Sequence, residues 1–194
     1  IMDVADAEST KAALREKYFD VVFDNLAYCS AYINNILSSF ACGKYIQLSS
    51  IATYAIRACD MKEDLFDPYR IPVEICDTSV GYGKGKRQAE AFAYQHFKYI
   101  PTVTVRLPYV AKTDRLYYYC KCIVKQLPMK IEDVSRGFTF VQDHEVGKFL
   151  PWLAAQEFTG PINLASEGMV TIQMILDYIE SKTKKQGVID VLNG

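Results

Sequence analysis

Two histidines and one tryptophan occur in the sequence, and its six cysteines include no Cys-x-x-Cys pair. A structural zinc site takes four Cys or His ligands at close spacing. A zinc finger or ribbon is therefore excluded, and no metal site is expected. Cys29, Cys42, Cys59, Cys76, Cys120 and Cys122 read as reduced thiols of a cytoplasmic protein. No run of 18 apolar residues occurs, so no membrane-spanning helix and no membrane partner are expected. No basic segment followed by an apolar one opens the chain, so no secretory signal is read there. The net charge is −1. That leaves no excess of cations for a phosphate backbone, and no nucleic-acid partner is expected.

What is present is a core-forming chain. Half of its 194 residues are hydrophobic, enough for one large domain. Asp6 can cap a helix running to about Lys17, with Ala13 and Leu14 facing inward. Phe19-Asp20-Val21-Val22-Phe23-Asp24 reads as a buried strand. Ile33, Ile36, Leu37 and Phe40 fall at i, i+3, i+4, i+7, one helical face. Lys44-Tyr45-Ile46-Gln47-Leu48-Ser49-Ser50 reads as a strand ending on two serines. Residues 54–81 carry Pro68 and Pro72 and lack periodicity; a connection this long is expected to be functional or disordered. A helix follows from 82 to about 97, then a strand at 102–106. Leu116, Tyr119, Cys120 and Ile123 mark another helical face. Beyond them come a strand at 138–141, a helix at 145–156 that Pro151 should kink, a strand at 161–164, and a helix from 171 to about 182. That last helix is capped by Val170 or Thr171. Such alternation argues for a mostly parallel sheet covered by helices on both faces. Ligands of such sheets bind outside the carboxyl ends of the strands, where Ser49 and Ser50 fall.

Tyr82-Gly83-Lys84-Gly85-Lys86 opens a helix. Residues four apart share a face, so Tyr82 and Lys86 point the same way. A phenol ordinarily titrates near 10, and a nearby ammonium favours its ionised form. A tyrosine so placed can exchange a proton with a hydroxyl while hydride moves at the same carbon. By itself a Tyr-x-x-x-Lys pair also fits a plain surface helix. Ser50, at a strand end 32 positions earlier, could bond the same substrate oxygen, and the two elements together favour catalysis. The glycines around Tyr82 fail the phosphate-loop spacing, and Arg87 stands where Ser or Thr should follow. His144 between Asp143 and Glu145 reads as a solvated helix start. Tyr117 and Tyr118 could stack on a base or sugar, while Tyr119 reads as core. Arg106 and Arg115 could clamp a diphosphate or form salt bridges.

These elements, in this order, resemble the extended short-chain dehydrogenase/reductase superfamily, specifically its NAD-dependent epimerase/dehydratase family. Ile1-Met2-Asp3-Val4 resembles the strand whose Asp-hydrophobic pair meets the adenine. Asp20 through Tyr28 resembles the strand and turn along the dinucleotide. Ser50, Tyr82 and Lys86 match the catalytic Ser/Thr, the base and its helper. Arg106-Leu107-Pro108-Tyr109-Val110 resembles the strand end beside the nicotinamide. Phe140 through Gly147 and Ile162 through Ile179 resemble segments of the substrate region and the next strand and helix.

The resemblance implies an α/β, Rossmann-like fold with a small substrate-binding region toward the C-terminus. Residues 1–110 would form a partial dinucleotide-binding core, and residues 111–194 a mixture of core and substrate-binding region. It implies catalytic Ser50, Tyr82 and Lys86. NAD or NADP would be held by Asp3, Val4, Asn25, Leu26, Ala27, Tyr28, Tyr82, Lys86, Leu107 and Pro108. The activity implied is hydride transfer at a hydroxyl or ketone carbon of a nucleotide-linked sugar or similar substrate, by a protein that could pair as a homodimer. The alternatives are a non-catalytic relative that senses dinucleotides or binds RNA, and an inactive fragment. The sequence departs from the pattern in lacking the Gly-x-x-Gly-x-x-Gly turn and the first strand–helix–strand unit, and in having Ala111 where a glycine often stands. It is therefore read as beginning at a later strand of the domain.

Overall fold

A computed structural model of the protein describes residues 2–56, 60–111 and 113–191. Ile1 and Cys59 lie outside the described residues. Among the described residues of the strand expected at the start, none is in a strand; instead residues 3–6 make a turn closed by the Asp6 N–H on the Asp3 carbonyl. The Asp3 carboxylate accepts the Ala5 N–H at 3.0 Å, and such a local bond competes with a strand ladder. Helix α1 (Ala7–Leu14) is capped by Asp6, which accepts from the Glu8 and Ser9 N–H groups. It stops short of Lys17 because Glu16 turns to φ 61. Its fully covered residue is Thr10, with Ala13 and Leu14 half-buried.

Strand β1 (Tyr18–Asp24), helix α2 (Ser30–Leu37) and strand β2 (Ala41–Ser50) follow. Ile33, Ile36 and Leu37 are buried as one stripe, but Phe40 lies beyond the helix and packs edge-on against Phe19 at 5.4 Å. Three short 3-10 turns, Ile51–Tyr54, Glu63–Leu65 and Thr78–Val80, lead to α3 (Tyr82–His96) and β3 (Thr102–Leu107). Then come β4 (Tyr109–Ala111), α4 (Thr113–Lys125), β5 (Pro128–Ile131), β6 (Gly137–Phe138), β7 (Phe140–Gln142) and α5 (Asp143–Ala154). The chain continues through β8 (Gly160–Asn163), β9 (Val170–Thr171), α6 (Ile172–Thr183) and β10 (Val188–Val191).

The chain divides into two compact units. The first comprises Ile1–Pro108 and Lys148–Leu164. Its sheet is wholly parallel in the order β1-β2-β3-β8. β1 is the edge strand, so its burial alternates and Phe23 is 46% exposed, unlike the continuous burial expected of its apolar run. Successive residues of β2 face opposite sides. Tyr45 enters the core of α2 and α3 with Ile33, Leu37, Phe92 and Ala93. Lys44 points the other way, and its buried ammonium donates to the last carbonyls of α5 and the residues after it, Leu153 at 2.8 Å and Gln156 at 2.5 Å. A cation there satisfies carbonyls that the helix leaves open.

The described part of 54–81 is an ordered strap rather than a disordered loop. Gln95 donates to the carbonyls of Pro68 and Ile71. Gln88 donates to Pro72 and accepts from the Glu74 N–H. Ser30 donates to the Glu74 carbonyl and accepts from the Cys76 N–H. Side chains thus supply the partners that a ladder would otherwise give.

The second unit comprises Tyr109–Gly147 and Ala165–Gly194. β4 pairs with β7 and β5 with β10, both parallel, while β6 and β9 are antiparallel. The single strand expected over 138–141 is thus two short ones, because the chain changes partner at Thr139. Ile123, Met129 and Leu176 centre this unit's core, with Tyr119 packed against it. Leu116 is 39% exposed and off the stripe.

At the middle of the first unit sits a fully buried ion pair. Arg106 on β3 donates to Glu90 on α3, Nη2 to Oε2 at 2.8 Å and Nε to both carboxylate oxygens at 3.2 Å. Ser49 on β2 donates to the same carboxylate. Removing one partner of such a pair strands the other charge, a loss of about 3–5 kcal/mol. Glu90→Leu should lower stability by that amount in urea denaturation. Glu90→Leu combined with Arg106→Met should cost clearly less than the two single losses added; additive losses would show that the pair is not coupled.

Candidate functional site

The expected catalytic residues lie in the first unit, at the carboxyl ends of β1 and β2. Tyr82 is the first residue of α3 and its side chain is 54% exposed. Lys86, one turn on, is 2% exposed. Its ammonium donates to the Leu48 carbonyl of β2 at 2.8 Å. It lies 4.9 Å from the centre of the Tyr28 ring and 5.8 Å from that of Tyr82, and the two rings are 6.4 Å apart.

Ser50 ends β2, two residues beyond that carbonyl, and caps the 51–54 turn by accepting the Ala52 N–H at 3.2 Å. Two glycines let α3 come this close. A Cβ on Gly83 would stand 3.0 Å from the Ala52 carbonyl oxygen, and one on Gly85 would stand 2.5 Å from that of Tyr28. The Gly-x-Gly of the motif therefore serves helix docking onto the two strand-end turns.

The other expected binding residues divide by exposure. Asn25, Leu26 and Tyr28 are exposed in the turn after β1, and Asp3 is exposed in the opening turn. Ala27 and Val4 instead put their side chains into the α2–α3 core. Leu107 is buried at the end of β3 and Pro108 is half-buried.

Arg106 does not reach toward a ligand. Besides Glu90 it donates to the carbonyls of Glu63 at 2.8 Å and Phe66 at 3.0 Å and to the Tyr54 hydroxyl at 3.2 Å. Salt bridging, not a diphosphate clamp, is its role. The side chain of Arg115 lies outside the described ones. Asp143 and Glu145 accept N–H groups at the start of α5, from His144 at 2.7 Å and Gln142 at 3.1 Å. Among the described residues no group of three or more His, Cys, Asp or Glu is placed to hold a metal. No helix among them is long and apolar enough to cross a membrane.

Sequence reading missed Glu90 and Asp24. Glu90 continues the Tyr82–Lys86 face by four more residues, and an acid among Ala89, Ala91, Phe92 and Ala93 was the available signal. Asp24 is buried at the end of β1, accepting from the Tyr45 hydroxyl at 2.6 Å and the Leu26 N–H at 2.7 Å. It thereby shapes the turn that carries Tyr28.

The fold is the Rossmann-like α/β arrangement of nucleotide-sugar epimerase structures. A mutant UDP-glucuronic acid 4-epimerase from Bacillus cereus, solved with a fluorinated UDP-sugar and NAD, superposes with a TM-score of 0.76 at 18% identity. That match covers 98% of this chain and 67% of the other. The UDP-glucose 4-epimerase of Thermus thermophilus, solved with NAD, gives 0.73 at 15% identity, over 97% of this chain and 70% of the other. RMD from Pseudomonas aeruginosa, solved with NADPH, gives 0.71 at 13%, over 98% and 75%. No family profile and no curated protein matches the sequence.

Burial lowers the Lys86 pKa to about 8, against the opposing pull of Asp24, Glu90 and Cys29. The folded value lies below the ordinary 10.5, so between the two the unfolded chain holds the extra proton. Stability therefore rises with pH across that window. The stability difference between wild type and Lys86→Met should climb by about 3 kcal/mol from pH 8 to 10.5. Urea denaturation at stepped pH checks this; a flat difference would refute a desolvated Lys86 that loses its proton early.

Proposed function

We propose that the chain is the catalytic core of an NAD(P)-dependent oxidoreductase of the epimerase/dehydratase type. Its substrate is the hydroxyl- or ketone-bearing carbon of a nucleotide-linked sugar. The observation that carries this reading is the exposed Tyr82 phenol over the buried Lys86 ammonium, beside the Ser50 strand end. The fold shared with NAD- and NADPH-bound enzymes supports it, and ligands of parallel sheets bind at this end.

The donor set fits the nicotinamide and ribose end of a dinucleotide. Exposed Asn25 and Tyr28 flank the end of β1, Lys86 carries a positive charge beside them, Leu107 ends β3 and Pro108 follows it. No glycine-rich turn in these residues would receive the pyrophosphate. Bound there, the nicotinamide supplies a site that accepts and returns hydride. Tyr82 takes or gives the proton at the substrate oxygen. Lys86 stabilises the phenolate by its charge at close range in a low-dielectric setting. Ser50, whose oxygen already accepts a backbone N–H, donates a hydrogen bond to the same substrate oxygen and keeps its proton. Residues 111–194 are assigned a mixture of core, which includes 148–164, and substrate-binding region.

Fluorescence titration of the full-length protein with NADH and NADPH, and turnover assays with UDP-glucose and UDP-glucuronic acid, test the reading. Tyr82→Phe should lose about 10²–10⁴-fold in turnover, the usual contribution of a positioned proton-transfer group, while still binding cofactor. Lys86→Ala should weaken both turnover and binding. Undiminished turnover by Tyr82→Phe would overturn the assignment.

A further inference from the structure

The surroundings of Lys86 point to a part for Tyr28 beyond lining a cofactor site. The ammonium is almost wholly removed from water. Its hydrogen-bond partner among the described residues is the Leu48 carbonyl. The acids around it are committed elsewhere: Asp24 to Tyr45 and the Leu26 N–H, Glu90 to Arg106 and Ser49. Two aromatic rings also face it. The Tyr28 ring centre is 4.9 Å away, nearer than the 5.8 Å of Tyr82. An aromatic face attracts a cation through its quadrupole, and more strongly once water is excluded. Tyr28 is itself fixed, because its carbonyl oxygen lies against Gly85 of α3 and Cys29, next in the chain, is buried.

We infer that Tyr28 is a positioning residue: its ring face holds the Lys86 ammonium beneath Tyr82. This rests on reading Tyr82 and Lys86 as the acid–base pair, and adds a third member from a different element. The groups that face the ammonium are Asp24 from β1, Tyr28 and Cys29 from the turn after it, and Tyr82 and Glu90 from α3. Of these the two tyrosines present ring faces to it. The ring, not the hydroxyl, is the part that matters.

The test follows the Lys86 side chain directly. NMR of the protein carrying 13Cε-labelled lysine gives its titration midpoint, the signal being identified by its loss in Lys86→Arg. Tyr28→Leu should lower the midpoint by about 0.4–1.5 pH units, the size of a cation–π contact between exposed and desolvated settings. Tyr28→Phe should leave it where it is. An unchanged midpoint in Tyr28→Leu, or an equal shift in Tyr28→Phe, overturns the inference. Should Tyr28→Leu fail to fold, Tyr28→Trp must raise the midpoint, and a fall or no change refutes the idea. The titration needs no substrate, so its failure is separate from failure of the proposed reaction.

Discussion

Arg106 and Glu90 meet with no water around either charge, and the first unit is arranged about that meeting. Desolvating each ion costs several kcal/mol, which mutual attraction offsets only if the remaining hydrogen-bonding positions are filled. Here they are filled from four directions. Ser49 of β2 takes one carboxylate oxygen, and carbonyls of Glu63 and Phe66 take guanidinium protons. The Tyr54 hydroxyl accepts another and donates its own hydrogen bond to the Asn163 amide oxygen of β8 at 2.5 Å. The rings of Tyr54 and Phe66 each lie 5.0 Å from the guanidinium carbon. One residue pair thus ties α3 to β2, β3, the strap and, through Tyr54, β8, and a shift of α3 or β3 alone would leave a buried charge unpartnered.

The pair also sets the position of the candidate site. Glu90, Lys86 and Tyr82 succeed one another at four-residue intervals along one face of α3. At 1.5 Å per residue the helix places the Tyr82 backbone about 12 Å along its axis from that of Glu90. Fixing Glu90 fixes the axial position of the helix, and the two close glycine contacts fix how near its first turn lies to the ends of β1 and β2. Lys86 sits between anchor and tip, which is why it is dry although Tyr82 is not. Its lowered pKa follows from that burial. The exposure of the phenol leaves it free to meet a ligand.

The strap over 60–81 illustrates a different kind of order. It has no ladder and no helix longer than three residues, so its hydrophobic pattern carries no period to read. It is held by long amides reaching backbone carbonyls, from Gln88 and Gln95 on α3. Those bonds depend on where α3 runs, a property of the assembled unit. The buried role of Arg106 was hidden for the same reason: an arginine at a strand end looks alike whether it faces a ligand or a carboxylate sixteen positions back, on the preceding helix.

Local chemistry determined a good deal by itself. Period 3.6 in α2 and α3, the Asp6 and Thr171 caps and the β-rich runs of β2 and β3 each depend on neighbours in sequence. The alternation of those elements limited the sheet to a parallel one. The i, i+4 spacing put Tyr82 and Lys86 on one face. Only the tertiary structure decided that β1 is an edge strand, that Arg106 is committed to Glu90, and that residues 148–164 return to the first unit. It alone brought the Tyr28 ring against the Lys86 ammonium, 58 positions away in sequence. Contacts of that kind arise where separate elements pack, and their geometry depends on burial, charge pairing and close approach, none of which leaves a period in the sequence.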